Sequence, residues 1–324
     1  MNNLNKNHSF TRLLTGNPYV IPLIIIVAMF GAGQVLTGGF ATVKNIGSIL
    51  TFSCVIAILT FSQIMVIASG GDGIDLSLGA VMSISAVLTP SFISNNVNRM
   101  PIAIVFVLAI GAAVGFFNAS GILLLGISPL IMTMIMAAVV DGAAMASTQG
   151  MPPGSIPDLL LKLGSSAIGP ISWLLIVTII VLILMILAMR KTAYGKKLFL
   201  TGSNRAAADI CGLNTRVTVY LAYMFAGMLS ALGGVFLVGY TGSAILKMAN
   251  GYNLFSVAAA VLGGAKLTGG EGSMLGGFLG AIIFTLLNNV LLAVGLPYGV
   301  RITIQGLTLL IILSLYSREG KMRQ

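Results

Sequence analysis

The chain has 324 residues, of which 57% are hydrophobic and only 7% charged. Soluble domains carry roughly 25% charged residues, so this composition cannot cover a water-soluble surface. The net charge of +10 does not point to a nucleic-acid partner, because the basic residues stand at the ends of apolar runs, where membrane topology places them, and form no patch on a folded domain.

A helix needs about 20 mostly apolar residues to cross the hydrocarbon core. Taken in chain order, about ten segments meet or approach that length, which predicts an all-α polytopic membrane protein. The first, 19–36, follows a basic stretch and holds Gly31-Ala32-Gly33, but it is longer than the apolar region of a signal peptide and is expected to stay as an uncleaved helix. Segment 46–68 follows. Segment 74–93 begins beside Asp75 and contains Pro90. Four clear spans come next, at 101–125, 127–147, 171–189 and 217–238. Segment 254–267 is short and ends in Gly263, Gly264 and Lys266, the pattern of a broken helix supported by its neighbours. Spans 274–294 and 302–316 complete the set.

Lys and Arg set the orientation. With the N-terminal tail (1–18, holding Lys6 and Arg12) in the cytoplasm, an even number of crossings returns the C-terminal tail (317–324, with Arg318, Lys321 and Arg323) to the same side. The loop 190–216, with Arg190, Lys191, Lys196, Lys197, Arg205 and Arg216, also falls inside, as does Lys266. Only Lys44, Arg99, Lys162, Lys247 and Arg301 remain outside, so both termini are expected in the cytoplasm around one transmembrane domain, 19–316.

The loop 190–216 contains Asn204, a good N-cap, then Arg205-Ala206-Ala207-Ala208-Asp209, a helix-forming run, then Gly212 and Leu213, with Gly suited to the left-handed position after a helix end. A helix of about two turns is predicted there. It is too short to be stable alone and needs packing, against its own bundle or against a partner. Residues 70–79, with Gly70, Gly71, Asp72, Gly73, Asp75 and Ser77, join two spans. Asp75 or Ser77 can cap the helix that follows, so the stretch reads either as a gate beside a pathway or as a tight capped turn. Residues 263–272 combine glycines with Glu271 in a similar way, which raises an internal duplication. Gly272, Gly276 and Gly280, and Gly111 with Gly115, have the four-residue spacing of close helix packing.

Ionisable groups are scarce within the spans. Asp141 is the exception, roughly 6 Å to the outer side of its helix centre. It is a candidate for the solute path or for pairing with a polar neighbour. Asn118, Gln63, Asn288, Asn289 and Gln305 are further polar groups at depth; they suit sugar hydroxyls or hydrogen bonding between helices equally well. The single histidine, His8, is in the N-terminal tail, and Cys54 and Cys211 have no ligand spacing, so no metal site or catalytic set is expected. Gly195–Lys196 and Gly320–Lys321 lack the rest of a P-loop, so ATP hydrolysis by this chain is not expected.

Residues 70–79 (GGDGIDLSLG) resemble the Gly-Gly-Ile-Asp-Leu-Ser-Val-Gly signature of ribose/xylose/arabinose-type ABC transporter permeases, with two extra residues of variation before the Ile-Asp-Leu-Ser core. Gly202-Ser203-Asn204-Arg205-Ala206-Ala207 with Gly212-Leu213-Asn214 is similar to that family's Gly-Asn-x-x-Ala-Ala…Gly-Ile-Asn segment. Val261-Leu262-Gly263-Gly264 and Gly269-Gly270-Glu271-Gly272, followed by Asn288-Asn289, resemble its later glycine block, in the same order. The resemblance implies a permease of the bacterial inner membrane that pairs with a second copy or a paralogue. Its implied partners are cytoplasmic P-loop ATPases, which use ATP and Mg, and a periplasmic or lipid-anchored binding protein that delivers a sugar-like solute. It assigns the stretch 204–213 to contact with the ATPase. Related permeases for branched-chain amino acids or nucleosides are the nearest alternative. An ion-coupled carrier would want more than one buried acid, or inverted repeats with broken helices.

Overall fold

The computed structural model describes residues 19–93, 96–151 and 156–321. Lys6, His8, Arg12, Pro152, Pro153 and Arg323 lie outside the described residues. Each predicted span contains a helix. Seven are long and apolar enough to cross a membrane: α1 (Val20–Thr37), α2 (Val43–Ala68), α4 (Met100–Leu124), α5 (Pro129–Thr148), α7 (Trp173–Lys191), α10 (Thr215–Thr241) and α12 (Met274–Ala293). Three are shorter or only partly apolar: α3 (Leu78–Ile93), α11 (Tyr252–Leu262) and α13 (Tyr298–Lys321). α13 runs on through the first residues of the expected C-terminal tail.

Elements outside the spans were not all foreseen. The connection before α7 folds into α6 (Asp158–Gly164) and a two-stranded hairpin, β1 (Ser166–Ile168) and β2 (Ile171–Ser172). The basic loop is mostly helical, with α8 (Ala193–Ser203) and α9 (Arg205–Ile210). α3 begins at Leu78, so Asp75 stays outside the helix, and Pro90 is accommodated within it.

α2 is the centre of the bundle. It is apolar on every face, the pattern of a helix surrounded by others, and it is buried almost throughout from Ile49 to Ala68. α10 crosses it with Gly233 against Ile58 and Met82. α10 also lies antiparallel to α4, where Gly111 and Gly115 meet the backbone of Gly227 and Tyr223. α12 runs antiparallel to α2, with Gly277 on Thr60 and Ile64, and antiparallel to α11, where Gly276 and Gly280 meet Gly263 and Ala259. The small-residue spacing therefore does what it predicted, bringing backbones together. Gly272 is the exception, lying in the loop against the Ile64 side chain.

α2 leads through residues 70–77 into the short α3, and α10 leads through residues 242–251 into the short α11. α2 and α10 run in opposite directions, since Ile58 faces Gly233 while Phe52 faces Tyr240. These two long–short helix pairs therefore stand in opposite senses. Turn 263–272, by contrast with turn 70–77, leaves a short helix instead of entering one.

Candidate functional site

The site is built where three glycine-containing segments meet. Thr192 caps α8, its hydroxyl accepting the Gly195 N–H at 3.2 Å. α8 then packs inward through Leu198, Thr201 and Gly202, all buried. Asn204 caps α9, accepting the Ala207 N–H at 3.0 Å, as its sequence position predicted. α9 has six residues, close to the two turns expected, and as predicted it ends where Gly212 takes the left-handed conformation (φ 78°), the Leu213 N–H returning to the Ala208 carbonyl at 3.1 Å. Asp209 accepts the Thr215 hydroxyl at 2.6 Å and ties the end of α9 to the start of α10.

Beneath α8, Gly202 sits against the last carbonyl of α2, that of Ala68, and the backbone of Gly270. Gly70 and Gly269 touch Gly202 from either side, and the Gly270 N–H donates to the Ala68 carbonyl at 3.2 Å. Gly70, Gly269 and Gly270 all have positive φ, a conformation that favours residues without Cβ. So both glycine-acid turns lie at one end of the bundle, on the same junction as α8. Asp72 also has positive φ, 53°, which Asp tolerates better than most residues, and the Arg205 guanidinium lies over Gly71. Gly73 faces the Val66 carbonyl with no room for a side chain. On the second turn Lys266 pairs with Glu271.

Behind the first turn is a buried polar node. Asp75 is 1% exposed. Its Oδ1 accepts from the Ser77 N–H at 2.8 Å and the Ser77 hydroxyl at 2.6 Å, and its Oδ2 accepts from Asn118 Nδ2 at 3.3 Å. Asn118 Nδ2 also donates to Ser77 Oγ at 2.8 Å. With its amide oriented to satisfy both partners, Gln63 accepts the Asp75 N–H at 3.2 Å and donates to the Asp75 carbonyl at 3.1 Å. Thr133 receives the Leu76 N–H at 3.0 Å, and Asn253 donates to the Leu76 carbonyl at 2.7 Å while accepting the Gly79 N–H. Ser230 closes on the Leu78 carbonyl. One short turn is thereby tied to α2, α4, α5, α10 and α11. Asn118, read from the sequence as a pathway residue, belongs to this node together with Asp75 and Ser77. Gln63 was noticed only as a polar group at depth, and Thr133, Ser230 and Asn253 were missed; nothing in their local sequence separates them from ordinary helix-face polar residues.

The node has a measurable weight. Asp75→Ala strands donors of Ser77 and Asn118, each costing about 1–3 kcal/mol when buried without a partner. Asp75→Asn keeps both Ser77 bonds to its Oδ1 and leaves Asn118 Nδ2 its bond to Ser77 Oγ, so only the longer bond from Asn118 is lost. Thermal melting of the purified chain is expected to drop well below wild type for Asp75→Ala and only slightly for Asp75→Asn. Indistinguishable melting of the two variants would remove Asp75 as the organiser of the turn.

The outward side of α9 has the opposite character. Ala206, Ala207 and Asp209 are exposed, and Ile210 is 88% exposed. α9 is thus packed on the bundle on one side and leaves Ile210 exposed on the other.

A protein-family profile described as "Branched-chain amino acid transport system / permease component" matches residues 45–313. The chain belongs to this permease family. Among known proteins it is 30% identical to the galactose/methyl galactoside import permease of Haemophilus influenzae, over 92% of this chain and 93% of that one. It is 28% identical to the autoinducer 2 import system permease of Enterobacter sp. (strain 638), over 97% of this chain and 90% of that one. It is also 28% identical to the ribose import permease of Escherichia coli (strain K12), over 90% of each chain. No solved structure matches significantly. The permease is therefore a transport subunit and not an enzyme, and a multi-pass protein of the inner membrane. Inverted helix pairs occur in ion-coupled carriers too, so the architecture does not choose between the two classes, whereas family membership does.

The remaining predicted residues lie apart from the junction. Asp141 of the permease is partly buried and pairs with Lys247, in turn 242–251, at 3.9 Å. Asn288 accepts from Gln305 Nε2 at 3.0 Å and from Arg301 at 3.4 Å, joining α12 to α13. Asn289, half-buried, takes no part in that cluster. Among the described residues no group of three or more His, Cys, Asp or Glu gathers to hold a metal.

Proposed function

We propose that this permease forms the solute pathway of a binding-protein-dependent ABC importer for a sugar or sugar-like solute, and that α9 is the element through which a separate ATPase drives it. Three of the similar permeases carry names for galactose, ribose or autoinducer 2 import, which supports a sugar-like solute. Branched-chain amino acids remain the second reading, on the wording of the family description. Accumulation of labelled galactose, ribose and leucine in cells with and without the permease separates them.

The observation that carries the coupling role is the exposure of Ile210, beside Ala206 and Ala207, on a helix whose root is wedged into the glycine junction. In this reading Asn204, Arg205, Ala206, Ala207, Asp209, Gly212 and Leu213 form the surface offered to a cytoplasmic P-loop ATPase, which binds ATP and Mg. Gly71, Asp72, Gly73, Asp75 and Ser77, with Asn118 behind them, form the gate that the junction moves. Asp141, Asn288 and Asn289 border the solute path toward the outer side, where a periplasmic or lipid-anchored protein delivers solute. A second permease copy or a paralogue completes the pathway. The bundle has only to supply two packings of similar energy, which nucleotide and loaded binding protein bias differently.

Cys211 tests the orientation without engineering, because it is exposed next to α9 whereas Cys54 is buried. An impermeant maleimide is expected to label inside-out vesicles and to leave intact cells unlabelled. Labelling of Cys211 in intact cells would put α9 on the wrong side for an ATPase.

A further inference from the structure

At the end of α2 opposite the glycine junction lies a cavity of about 530 Å³, within the roughly 300–1,000 Å³ of small-molecule sites. Its walls come from the first turns of α2, from the β1–β2 hairpin and from Tyr240 at the end of α10. Lys44, Ser48 and Ser166 line it and are exposed, and Lys44 pairs with no carboxylate among the described residues. From Tyr240 a row of rings leads away across four helices. Ring centroids lie 5.3 Å apart for Tyr240 and Phe52, 6.1 Å for Phe52 and Tyr252, 6.4 Å for Tyr252 and Phe255, and 6.0 Å for Phe255 and Phe284. Only Phe284 is buried; the other four rings keep part of their surface exposed. The Tyr240 and Tyr252 hydroxyls are within electrostatic reach of each other, and neither has a hydrogen-bond partner among the described residues. Asn288 lies one turn beyond Phe284 on the same face of α12.

We infer that a sugar-like solute is received in this cavity and passed along the rings from Tyr240 to Phe255, which form one wall of its path. This rests on the sugar-like reading of the solute and adds the place where the solute lies. A sugar has a face of C–H groups, which packs on an aromatic ring, and an edge of hydroxyls, which need donors and acceptors. Tyr240 and Tyr252 offer both at once, and Lys44, Ser48 and Ser166 add polar partners at the cavity. Packing between helices needs only buried rings without hydroxyls, as Phe284 supplies; partly exposed tyrosines with unpaired hydroxyls suit a wall that faces a polar solute. An acyl chain in the cavity would strip water from Lys44 and the Ser166 hydroxyl and replace it with nothing. The row also joins the cavity to Asn288, already placed beside the path.

The test is uptake of labelled D-galactose and D-ribose by intact cells carrying the full-length permease, normalised to inserted protein. Tyr240→Leu and Tyr252→Leu are expected to cut uptake about tenfold each, and Tyr252→Phe, which keeps the ring, by less. Ser48→Trp is expected to block uptake by filling the cavity. Ser48 is exposed and its hydroxyl bonds only the Lys44 carbonyl of its own helix, so this variant reports even if a tyrosine variant folds poorly. Co-purification of the ATPase should be unchanged in all of them, which separates these losses from a failure at α9. Phe106→Leu, in the exposed stacked pair Phe92–Phe106 between α3 and α4, should transport as wild type does. Uptake within about twofold of wild type by Tyr240→Leu, Tyr252→Leu and Ser48→Trp would overturn the proposal and leave the sugar-like reading standing. Wild-type cells that accumulate neither sugar would overturn that reading, and the proposal with it.

Discussion

Gly202→Leu is expected to abolish solute uptake while the chain is still made and inserted. The groups a side chain would meet at Gly202 are the Ala68 carbonyl, the Ala68 carbonyl carbon at 2.9 Å and the Gly270 nitrogen at 2.6 Å. All are backbone, so no rotamer change makes room. The hydrogen bond from the Gly270 N–H to the Ala68 carbonyl lies in the same place and would be split. Overpacking of this kind costs about 1–3 kcal/mol, and here it lifts α8, and α9 with it, off both glycine turns. Gly202→Ala carries the same clash with a smaller group and keeps the test informative if leucine prevents insertion. Gly38→Ala is the control. Gly38 faces open space, and its φ of 65° makes a Cβ cost only about 1–2 kcal/mol locally, so uptake within about twofold of wild type is expected. Uptake by cells, normalised to inserted protein, reads the difference. Normal uptake by Gly202→Leu would show that the junction does not transmit movement.

Ala207→Glu is the second large effect, and it acts on the other side of the same helix. Ala207 is exposed and its side chain makes no internal contact that glutamate would disturb, so insertion and melting should match wild type. In the proposed assembly it faces the ATPase beside Ile210, where a desolvated position is worth about 2 kcal/mol or more, roughly thirtyfold in affinity. Loss of uptake together with loss of ATPase co-purification is expected, and Ile210→Asp should reproduce both. Co-purification of the ATPase with either variant at wild-type yield would place the interface elsewhere. The two substitutions also separate causes: Gly202→Leu should uncouple a permease that still binds its ATPase, whereas Ala207→Glu should prevent binding.

What could be read without a structure was whatever depends on a run of residues along the chain. Apolar length located every span, because a lipid core demands about 20 apolar residues in a row. Asn204 and Gly212 marked both ends of α9, because capping and left-handed φ are properties of single positions. α8 was missed although Thr192 caps it, since Gly195 and Gly202 break a helical pattern that packing on Met189 and Ala68 restores.

Sequence alone thus determined that this is a bundle of apolar helices with a short capped helix in its basic loop, since composition and caps act locally. Tertiary structure decided which polar residues work together. Asp75 and Asn118 are 43 positions apart and Leu76 and Asn253 are 177 apart, and only the crossing of five helices brings these groups within hydrogen-bond reach. The same holds for Gly70, Gly202 and Gly270: each is an ordinary turn or helix glycine by itself, and the close approach of three backbones gives them a joint role.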